Sequence, residues 1–276
     1  MTRTIVITGA SDGIGAAAAR QLHAAGETVV VVGRNSDKTR AVADSIGAPW
    51  HLADFSDLAE VRALADVLRE RYPRIDVLAN NAGGIFGDRA VTGDGFELTF
   101  QVNHLAGFLL TNLLRDRLIE SRASVIQTSS VAARAFSRFD IDDLQAERRY
   151  SPSTAYGNAK LANILFTKEL ARRFGDQGVS AVGFHPGAIA SGFAGASNGL
   201  WHWMYTNPLA SRLLTSTEVG GSRLGWLALG TPGIDWRSGG YYAQNRPARS
   251  TRLADDPILA RRLWEQSAAM VGLPTS

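Results

Sequence analysis

Short runs of apolar and β-branched residues alternate along the chain with longer segments in which apolar positions recur every three or four residues. This alternation predicts a parallel sheet whose crossover helices cover both faces. Strands buried on both faces should be almost wholly apolar, as the second run is. The runs are Thr4 to Thr8, Thr28 to Val32, Pro49 to Leu52, Ile75 to Leu78, Ser124 to Thr128, Val179 to Phe184 and Gly240 to Ala243. The sequence therefore predicts an α/β protein with a doubly wound, parallel, seven-stranded sheet in a three-layer α/β/α arrangement.

Segments with helical periodicity fill the intervals between these strands. The fifth is the best defined, because Ser151 and Pro152 form a cap followed by a proline in the first turn. Tyr156, Lys160 and Asn163 fall on one side of this helix. The predicted helices are Ile14 to Ala25, Ser36 to Ile46, Leu58 to Arg71, Phe96 to Ile119, Thr154 to Phe174 and Glu218 to Leu229.

Two stretches lengthen the connections of this pattern. Residues 134–153 precede the fifth helix, and residues 191–217 follow the sixth strand. Ligands of open α/β sheets bind beyond the carboxyl ends of the strands, where both connections emerge, so both are predicted substrate-binding segments. Since no linker or repeat divides the chain, residues 1–276 are predicted to form a single domain.

The composition narrows the classes of protein that fit this pattern. The formal net charge is only +3 and the arginines are scattered, so no nucleic-acid partner is expected. The chain has no cysteine, and its five histidines stand in no metal-binding spacing, so no metal site is expected. With no long apolar run and no secretory leader, we expect no integral membrane segment and a cytoplasmic location.

A glycine-rich turn follows the first strand. Gly9, Gly13 and Gly15 lie between that strand and the first helix. Residues without side chains let the backbone approach a phosphate, and the free amides and dipole of a helix N-terminus favour its negative charge. The spacing differs from the GxGxxG fingerprint, and glycines also form tight turns that bind nothing. Between a strand and a helix, this turn nevertheless predicts a site for the pyrophosphate of a dinucleotide.

The end of the second strand bears on the choice of nicotinamide cofactor. An acidic residue there binds the ribose hydroxyls of NAD, whereas an arginine accommodates the 2′-phosphate of NADP. This strand continues into Gly33, Arg34 and Asn35, without a carboxylate. NADP is therefore predicted over NAD. The alternative is that Arg34 is only a solvated residue at a strand end.

Tyr156 and Lys160 are suited to proton transfer. Because they are four positions apart on a helix, an ammonium group can lie beside the phenol and favour its phenolate. The unperturbed pKa of tyrosine is about 10, and such a shift makes the group usable near neutral pH. With the glycine-rich turn, this pair predicts an enzyme that transfers a hydride.

These features resemble the classical short-chain dehydrogenases/reductases. The motifs that carry the resemblance extend over nearly the whole chain, and their joint order makes it specific. It implies a Rossmann-like fold, a small-molecule substrate and the possibility of a homo-oligomer, which is common in the family. The motifs are Thr8 to Gly15, Asp54, Asn80 to Gly83, Asn103, Ser129 with Ser130, Tyr156 to Lys160, and Pro186 with Gly187.

The resemblance implies a catalytic tetrad of Asn103, Ser130, Tyr156 and Lys160. Tyr156 would pass a proton to a carbonyl oxygen as the hydride arrives, and Ser130 would hydrogen-bond to that oxygen. Lys160 would lower the pKa of Tyr156 and bind the nicotinamide ribose, while Asn103 would hold a water of a proton relay. The expected activity is NADP(H)-dependent interconversion of a carbonyl and an alcohol on a small to medium apolar substrate.

The resemblance also assigns the cofactor site. It implies that Asp54 meets the adenine amino group and that the backbone of Ile189 meets the carboxamide. Ser191 stands where the family usually has threonine, and it keeps the hydroxyl. The predicted cofactor-binding residues are Gly9, Ser11, Asp12, Gly13, Ile14, Gly15, Arg34, Asn35, Asp54, Phe55, Asn81, Ala82, Gly83, Tyr156, Lys160, Pro186, Gly187, Ile189 and Ser191.

One branch of the family is particularly similar. The runs from Lys160 to Phe166, from Glu169 to Arg173 and from His185 to Gly187 resemble the retinol dehydrogenases and WW-domain oxidoreductases. That branch implies NADP and lipophilic aldehydes, ketones or alcohols. No WW module and no membrane anchor before Met1 are expected, so the resemblance does not imply retinoid specificity.

Other interpretations stay open on the sequence. The protein could be an NADP-binding sensor or scaffold that does not catalyse, or an epimerase, dehydratase or enoyl reductase on the same sheet. The aromatic cluster of Trp201, Trp203 and Tyr205 fits a packed helix face, a substrate lid or a membrane contact. The arginines between Arg134 and Arg149 fit a solvated insertion or a contact with an anionic substrate.

Overall fold

The computed structural model describes residues 2–187 and 215–275, and these contain one sheet of eight strands. The strands are β1 (Thr4–Thr8), β2 (Thr28–Gly33), β3 (Trp50–Leu52), β4 (Val77–Asn80), β5 (Ser124–Thr128), β6 (Ser180–His185), β7 (Gly240–Ala243) and β8 (Arg246–Pro247). Their order across the sheet is β3-β2-β1-β4-β5-β6-β7-β8. Neighbouring strands are parallel from β3 through β7, and β8 is antiparallel to β7. The fold is a mostly parallel, Rossmann-like α/β/α sandwich.

The sheet has one strand more than the seven predicted. All seven predicted strands occur, with ends that differ from the prediction by at most two residues. The additional strand, β8, has only two residues, one of them a proline, so it carries no alternating pattern. It pairs with β7 through a turn at Gln244 and Asn245, whose φ angles are 52° and 60°. Two successive positive φ angles are typical of a tight hairpin turn.

Helices cover both faces of the sheet, as the sequence predicts. They are α1 (Gly13–Ala24), α2 (Ser36–Ile46), α3 (Leu58–Arg71), α4 (Leu98–Phe100), α5 (Ala106–Leu113), α6 (Arg115–Ser121), α7 (Ala132–Ala135), α8 (Pro152–Phe174), α9 (Thr217–Leu229) and α10 (Pro257–Met270), with 3₁₀ turns at Gly175–Gln177 and Arg252–Asp255. The predicted cap of α8 is present, because the Ser151 hydroxyl accepts a hydrogen bond from the Thr154 amide at 3.2 Å.

Alternating side chains of the strands build a separate core on each face. In β2, Val29 and Val31 pack with α1, α2 and α9, whereas Val30 and Val32 pack with α3 on the opposite face. The second face also holds α5, α8 and α10, where Trp264 packs against Phe108 and Phe166. Burial of both faces explains why these strands are almost continuously apolar.

The long helix predicted from Phe96 to Ile119 is wrong as a single element. It is divided into α4, a π-helical turn over Gln101–Leu105, α5 and α6. A π turn inserts an extra residue into the helical repeat, and such turns are frequent at functional sites. Asn103 lies inside this turn.

No helix within the two described stretches combines the length and the apolar character needed to span a membrane.

Candidate active site

The glycine-rich turn between β1 and α1 lies against the loop that follows β4. Gly9 has a φ of 65°, and a Cβ at this position would lie 2.7 Å from the Cα of Ala82. The Thr8 hydroxyl oxygen accepts hydrogen bonds from the Asn81 and Ala82 amides, both at 3.0 Å. The Asn81 side-chain amide donates back to the Thr8 carbonyl at 3.1 Å. Only glycine fits at position 9, because the two backbones are in contact there.

An open cleft of about 440 Å³ lies at the carboxyl ends of β1, β2 and β4. The strand order reverses at β1, which has β2 on one side and β4 on the other. Ligands of such sheets bind at this switch point. The predicted residues that line the cleft are Gly9, Ser11, Arg34, Asp54, Phe55, Ala82 and Gly83.

Arg34 and Asp54 face each other at the rim of this cleft. The guanidinium Nη1 lies 3.8 Å from one Asp54 oxygen, and the Arg34 side chain is 67% exposed. The amide and the hydroxyl of Ser56 both donate to the other Asp54 oxygen, at 2.9 and 2.7 Å. Asp54 is thus held in one orientation, while most of the Arg34 guanidinium faces solvent.

Asp12 and Asn35 cap helices beside the cleft instead of lining it. The Asp12 carboxylate accepts hydrogen bonds from the Gly13 amide and from the Lys38 ammonium group, both at 2.7 Å. The Lys38 contact lowers the pKa of Asp12. Asn35 accepts from the Lys38 amide at 2.9 Å and caps α2. The other predicted residues of the turn and of the loop after β4 that do not line the cleft are Gly13, Ile14, Gly15 and Asn81.

Asn103 and Lys160 meet around Gly83 at one end of the cleft, and Tyr156 lies beside Lys160. A Cβ on Gly83 would lie 2.4 Å from the Asn103 Oδ1 and 3.0 Å from the Lys160 Nζ. The Lys160 Nζ donates a hydrogen bond to the Thr128 carbonyl at 3.2 Å and lies 5.4 Å from the centre of the Tyr156 ring. The structure thus brings three of the four predicted catalytic residues together.

Ser130, the fourth predicted catalytic residue, begins the turn after β5. Its hydroxyl oxygen accepts a hydrogen bond from the Ala132 amide at 3.2 Å. Ala132 packs with Tyr156 in a small apolar cluster, so the Ser130 turn adjoins the Tyr156 ring. The Ser129 hydroxyl is already engaged, since it donates to the Lys160 carbonyl at 2.7 Å.

A second tyrosine lies close to the same turn. The Tyr241 hydroxyl is 3.5 Å from the Ser130 carbonyl oxygen. Burial raises the pKa of Tyr241 to about 12, so its phenol stays protonated near neutral pH. Tyr241 is therefore poorly suited to exchange a proton at that pH.

Lys160 is a buried lysine that no carboxylate of the described residues neutralises. It is 2% exposed and forms no ion pair with any residue of the described stretches. Burial disfavours the charged form and lowers the pKa of Lys160 to about 7. Perturbed pKa values of this size cluster at functional sites.

This lowered pKa can be measured directly, because the chain has only three lysines, Lys38, Lys160 and Lys168. In protein with isotope-labelled lysine side chains, we expect the NMR signal of Lys160 to titrate near pH 7. Lys160→Met should remove the signal that titrates near pH 7. The absence of any lysine signal that titrates near pH 7 would contradict the result expected for Lys160.

The loop after β6 carries Pro186 and Gly187. Arg223 of α9 donates to the Pro186 carbonyl at 2.5 Å. Gly187 has a φ of 104°, and a Cβ there would lie 2.6 Å from the Thr215 hydroxyl. The structure does not describe residues 188–214. Ile189, Ser191, the cluster from Trp201 to Tyr205 and residues 191–214 of the second predicted substrate segment therefore lie outside the described residues.

The first predicted substrate segment, residues 134–153, lies beside the small apolar cluster that contains Tyr156. Phe136 packs against Tyr156 and its neighbours, and the Tyr150 hydroxyl donates to the Gly87 carbonyl at 3.0 Å. Arg148 pairs with Asp140 at 3.2 Å on the exposed surface.

Several residues of the site were not found by sequence reasoning. The additional cleft residues are Val32, Gly33, Ala53, Gly84, Ile85, Phe86 and Val102. Gly33 ends β2 and Gly84 follows the predicted residue Gly83, so both could have been found as glycines that adjoin predicted site residues. Val102 and Ile85 have no local signal, because their position at the cleft depends on how distant segments pack.

The fold and the glycine-rich turn between β1 and α1 define a dinucleotide-binding α/β protein. The family model for short chain dehydrogenases matches residues 3–199. The chain belongs to the short-chain dehydrogenase family and is an oxidoreductase.

Comparisons with individual proteins agree with this assignment. A Streptomyces sp. (strain C5) protein named as a proposed daunorubicin C-13 ketoreductase, DnrU, is 45% identical over 98% of this chain and 93% of its own. Human retinol dehydrogenase 11 is 36% identical over 99% of this chain and 86% of its own. The crystal structure of an uncharacterised Mycobacterium paratuberculosis protein is 31% identical, with a TM-score of 0.78 over 99% of this chain and 95% of its own.

Proposed function

We propose that this protein is an NADP(H)-dependent reductase or dehydrogenase that interconverts a carbonyl group and an alcohol on a small to medium apolar substrate. The observation that carries the proposal is the meeting of Asn103 and Lys160 around Gly83, with Tyr156 beside Lys160, at the end of a cleft that suits a dinucleotide. A phenol beside a buried lysine that forms no ion pair with a described residue is an arrangement for moving a proton. Membership of the family supports oxidoreduction as the reaction.

The residues around the cleft fit a dinucleotide. A Cβ on Gly13 would meet no atom within 4 Å, so the space over the first turn of α1 is open to a pyrophosphate. The first amides of α1 and its dipole favour an anion there. Asp54 would accept from the adenine amino group, and Arg34 would bind a 2′-phosphate at the rim. Ile189 and Ser191 remain predicted contacts of the nicotinamide half.

The proposed chemistry divides between the cofactor and the side chains. Bound NADPH supplies the hydride. The Tyr156 hydroxyl donates a proton to the carbonyl oxygen of the substrate, and the Ser130 hydroxyl donates a hydrogen bond to the same oxygen. Lys160 favours the phenolate of Tyr156 after the proton has left and binds the ribose hydroxyls. In the oxidation direction Tyr156 accepts the proton from the alcohol.

In the proposed proton relay, Asn103 acts through its main-chain carbonyl and not through its side chain. Its side-chain oxygen accepts from the Gly84 amide at 3.1 Å, and its side-chain nitrogen donates to the Gly84 and Thr99 carbonyls, both at 2.9 Å. These bonds hold the loop after β4 against the π turn. A water that relays the proton would therefore bind to the main-chain carbonyl of Asn103.

An apolar substrate is supported by the surroundings of Tyr156. Its ring packs with Ile85, Ala132 and Phe136, and Ile85 and Phe86 line the cleft. Such side chains gain free energy when they bury apolar ligand surface. The names of the two relatives specify a ketone and an alcohol, the two sides of one interconversion. Within this class we propose lipophilic ketones and aldehydes as substrates.

The test is NADPH consumption across a panel of aliphatic, aromatic and polycyclic aldehydes and ketones, with NADH run in parallel. We expect NADPH-dependent reduction of apolar carbonyl compounds and slower turnover with NADH. NADPH binding without turnover on any member of the panel would contradict the enzymatic proposal and favour the sensor or scaffold.

The cofactor preference depends on Arg34. A charge-assisted contact with phosphate contributes about 1.5–3 kcal/mol, so Arg34→Leu should weaken NADPH binding about 10–100-fold. NADH lacks the 2′-phosphate, and its Kd should change less than threefold. Both constants can be measured from the fluorescence of the bound nicotinamide.

Arg40→Leu is the matched control for this experiment. Arg40 is an exposed arginine of α2 that lies over the Trp50 ring at 5.6 Å and does not line the cleft. The variant removes the same charge at a site where solvent and salt screen it. If Arg40→Leu and Arg34→Leu weaken NADPH binding equally, a specific contact between Arg34 and the 2′-phosphate is excluded.

A further inference from the structure

Asn163, three residues after Lys160, lies behind the proposed catalytic residues. It is 3% exposed, and its side-chain nitrogen donates hydrogen bonds to the main-chain carbonyls of Asn103 at 3.0 Å and Thr128 at 3.2 Å. The Thr128 carbonyl is also the acceptor of the Lys160 Nζ. One buried amide thus contacts both the carbonyl group that accepts from Lys160 and the main-chain carbonyl of Asn103.

The orientation of this amide is fixed by its partners. Both contacts of its nitrogen are carbonyl oxygens, which only accept, so the nitrogen must face them. The Asn163 oxygen then faces the His104 Nδ1 at 3.2 Å, and this ring nitrogen must carry the hydrogen. The remaining His104 nitrogen accepts from the Ser267 hydroxyl at 3.0 Å. Each polar side-chain atom in this hydrogen-bonded chain of Asn163, His104 and Ser267 is therefore either a donor or an acceptor, with one assignment.

The hydrogen-bonded chain of Asn163, His104 and Ser267 is buried along its whole length and connects distant elements. His104 is 1% exposed and Ser267 is fully buried. His104 belongs to the π turn and Ser267 to α10, whereas Asn163 belongs to α8. Burial, together with the nearby Lys160, lowers the pKa of His104 to about 4, so the ring is neutral at physiological pH. A neutral ring is what the donor and acceptor pattern requires.

We propose that Asn163 is a positioning residue for the reaction: held by His104 and Ser267, it fixes the main-chain carbonyl of Asn103, and it fixes the Thr128 carbonyl and thereby the ammonium group of Lys160. The inference rests on the proposed roles of Tyr156 and Lys160. Buried polar networks in which every member is satisfied hold one geometry, because any alternative leaves an unpaired group. Asn163 need not touch substrate or cofactor to act in this way.

The activity test uses Asn163→Leu, which keeps the approximate volume and removes all three hydrogen bonds. We expect kcat to fall about 10–100-fold while the Kd for NADPH changes less than threefold. The matched control is Thr167→Val, one turn further along α8. Thr167 is also fully buried, and its hydroxyl donates only to the helix carbonyl of Asn163 at 2.8 Å. The control should keep kcat within twofold of wild type.

A second variant keeps the test valid if Asn163→Leu does not fold. His104 packs among Phe100, Phe108 and Phe166, with ring centres 5.1–6.0 Å away, so this aromatic pocket suits His104→Phe. The variant removes the donor that orients the Asn163 amide. We expect a fall in kcat of about 3–10-fold, with the NADPH Kd again within threefold of wild type.

A readout that does not need turnover separates this inference from the proposed function. In lysine-labelled protein, Asn163→Leu should move the Lys160 titration upward by about half a pH unit, because the Thr128 carbonyl then accepts from Lys160 without competition from Asn163. Thr167→Val should leave that titration in place. If wild type reduces no carbonyl compound but these titrations behave as expected, the proposed function fails and the positioning of Lys160 stands. An unchanged titration and unchanged kcat in folded Asn163→Leu or His104→Phe would overturn the inference.

Discussion

Tyr156→Phe should lower kcat by about three orders of magnitude and leave the Kd for NADPH within about threefold of wild type. General acid–base catalysis contributes roughly 10²–10⁴-fold, and this substitution removes the only group to which the proposal gives that role. The phenyl ring keeps its packing with Ile85, Ala132 and Phe136. The cofactor cleft should therefore keep its shape. Steady-state kinetics with a ketone from the panel and a fluorescence titration with NADPH measure the two quantities.

The control for this result is Tyr72→Phe. Tyr72 is a partly buried tyrosine whose hydroxyl lies 3.0 Å from a ring nitrogen of His51. It ends α3, before the chain enters β4, and does not line the cleft. Loss of the Tyr72 hydroxyl should leave kcat within twofold of wild type. If Tyr156→Phe retained wild-type turnover, the acid–base role of Tyr156 would be refuted.

Gly15→Ala should abolish measurable NADPH binding, or weaken it more than 100-fold, and should lower the thermal stability. A Cβ on Gly15 would lie 2.3 Å from the Gly9 carbonyl oxygen and 2.9 Å from the Ala10 Cα. Both are backbone atoms of the turn, so the methyl group fits only if the turn opens. Overpacking of this kind costs about 1–3 kcal/mol, and the opened turn no longer matches a pyrophosphate. Calorimetry and NADPH titration measure both effects.

Gly26→Ala separates crowding in the turn from the general effect of substituting a glycine of positive φ. Gly26 follows α1, has a φ of 88° and does not line the cleft, and a Cβ there would meet nothing within 4 Å. The variant should therefore show only the cost of a positive φ, roughly 1–2 kcal/mol per residue. Its NADPH affinity should fall less than that of Gly15→Ala. Equal losses in the two variants would contradict the explanation by backbone contact.

The parts of the fold that repeat locally could be predicted from the sequence. Alternating and continuous apolar runs gave strand positions to within two residues, because strands buried on both faces require apolar side chains. Ser151 and Pro152 identified the start of α8 because capping is a short-range interaction. The short strand β8 was missed, since two residues carry no period.

The proposed site could be predicted only in part. Resemblance and spacing selected Asn103, Tyr156 and Lys160, and the structure brings these three together, while their roles stay predictions. Asp12 and Asn35 were predicted as cofactor contacts, yet their side chains cap helices beside the cleft. Asparagine and aspartate serve both purposes, and the sequence does not separate a cap from a ligand contact.

The sequence by itself determined the α/β pattern, the glycine-rich turn and the four-residue spacing of Tyr156 and Lys160, because each depends on neighbours within a few positions. Only the tertiary structure decided the π turn at Asn103, the burial of Lys160 and the hydrogen bonds that join Asn163 through His104 to Ser267. His104 and Ser267 are 163 positions apart in the chain. Their contact exists because α10 packs against α8 across one hydrophobic core, and no local pattern encodes that packing.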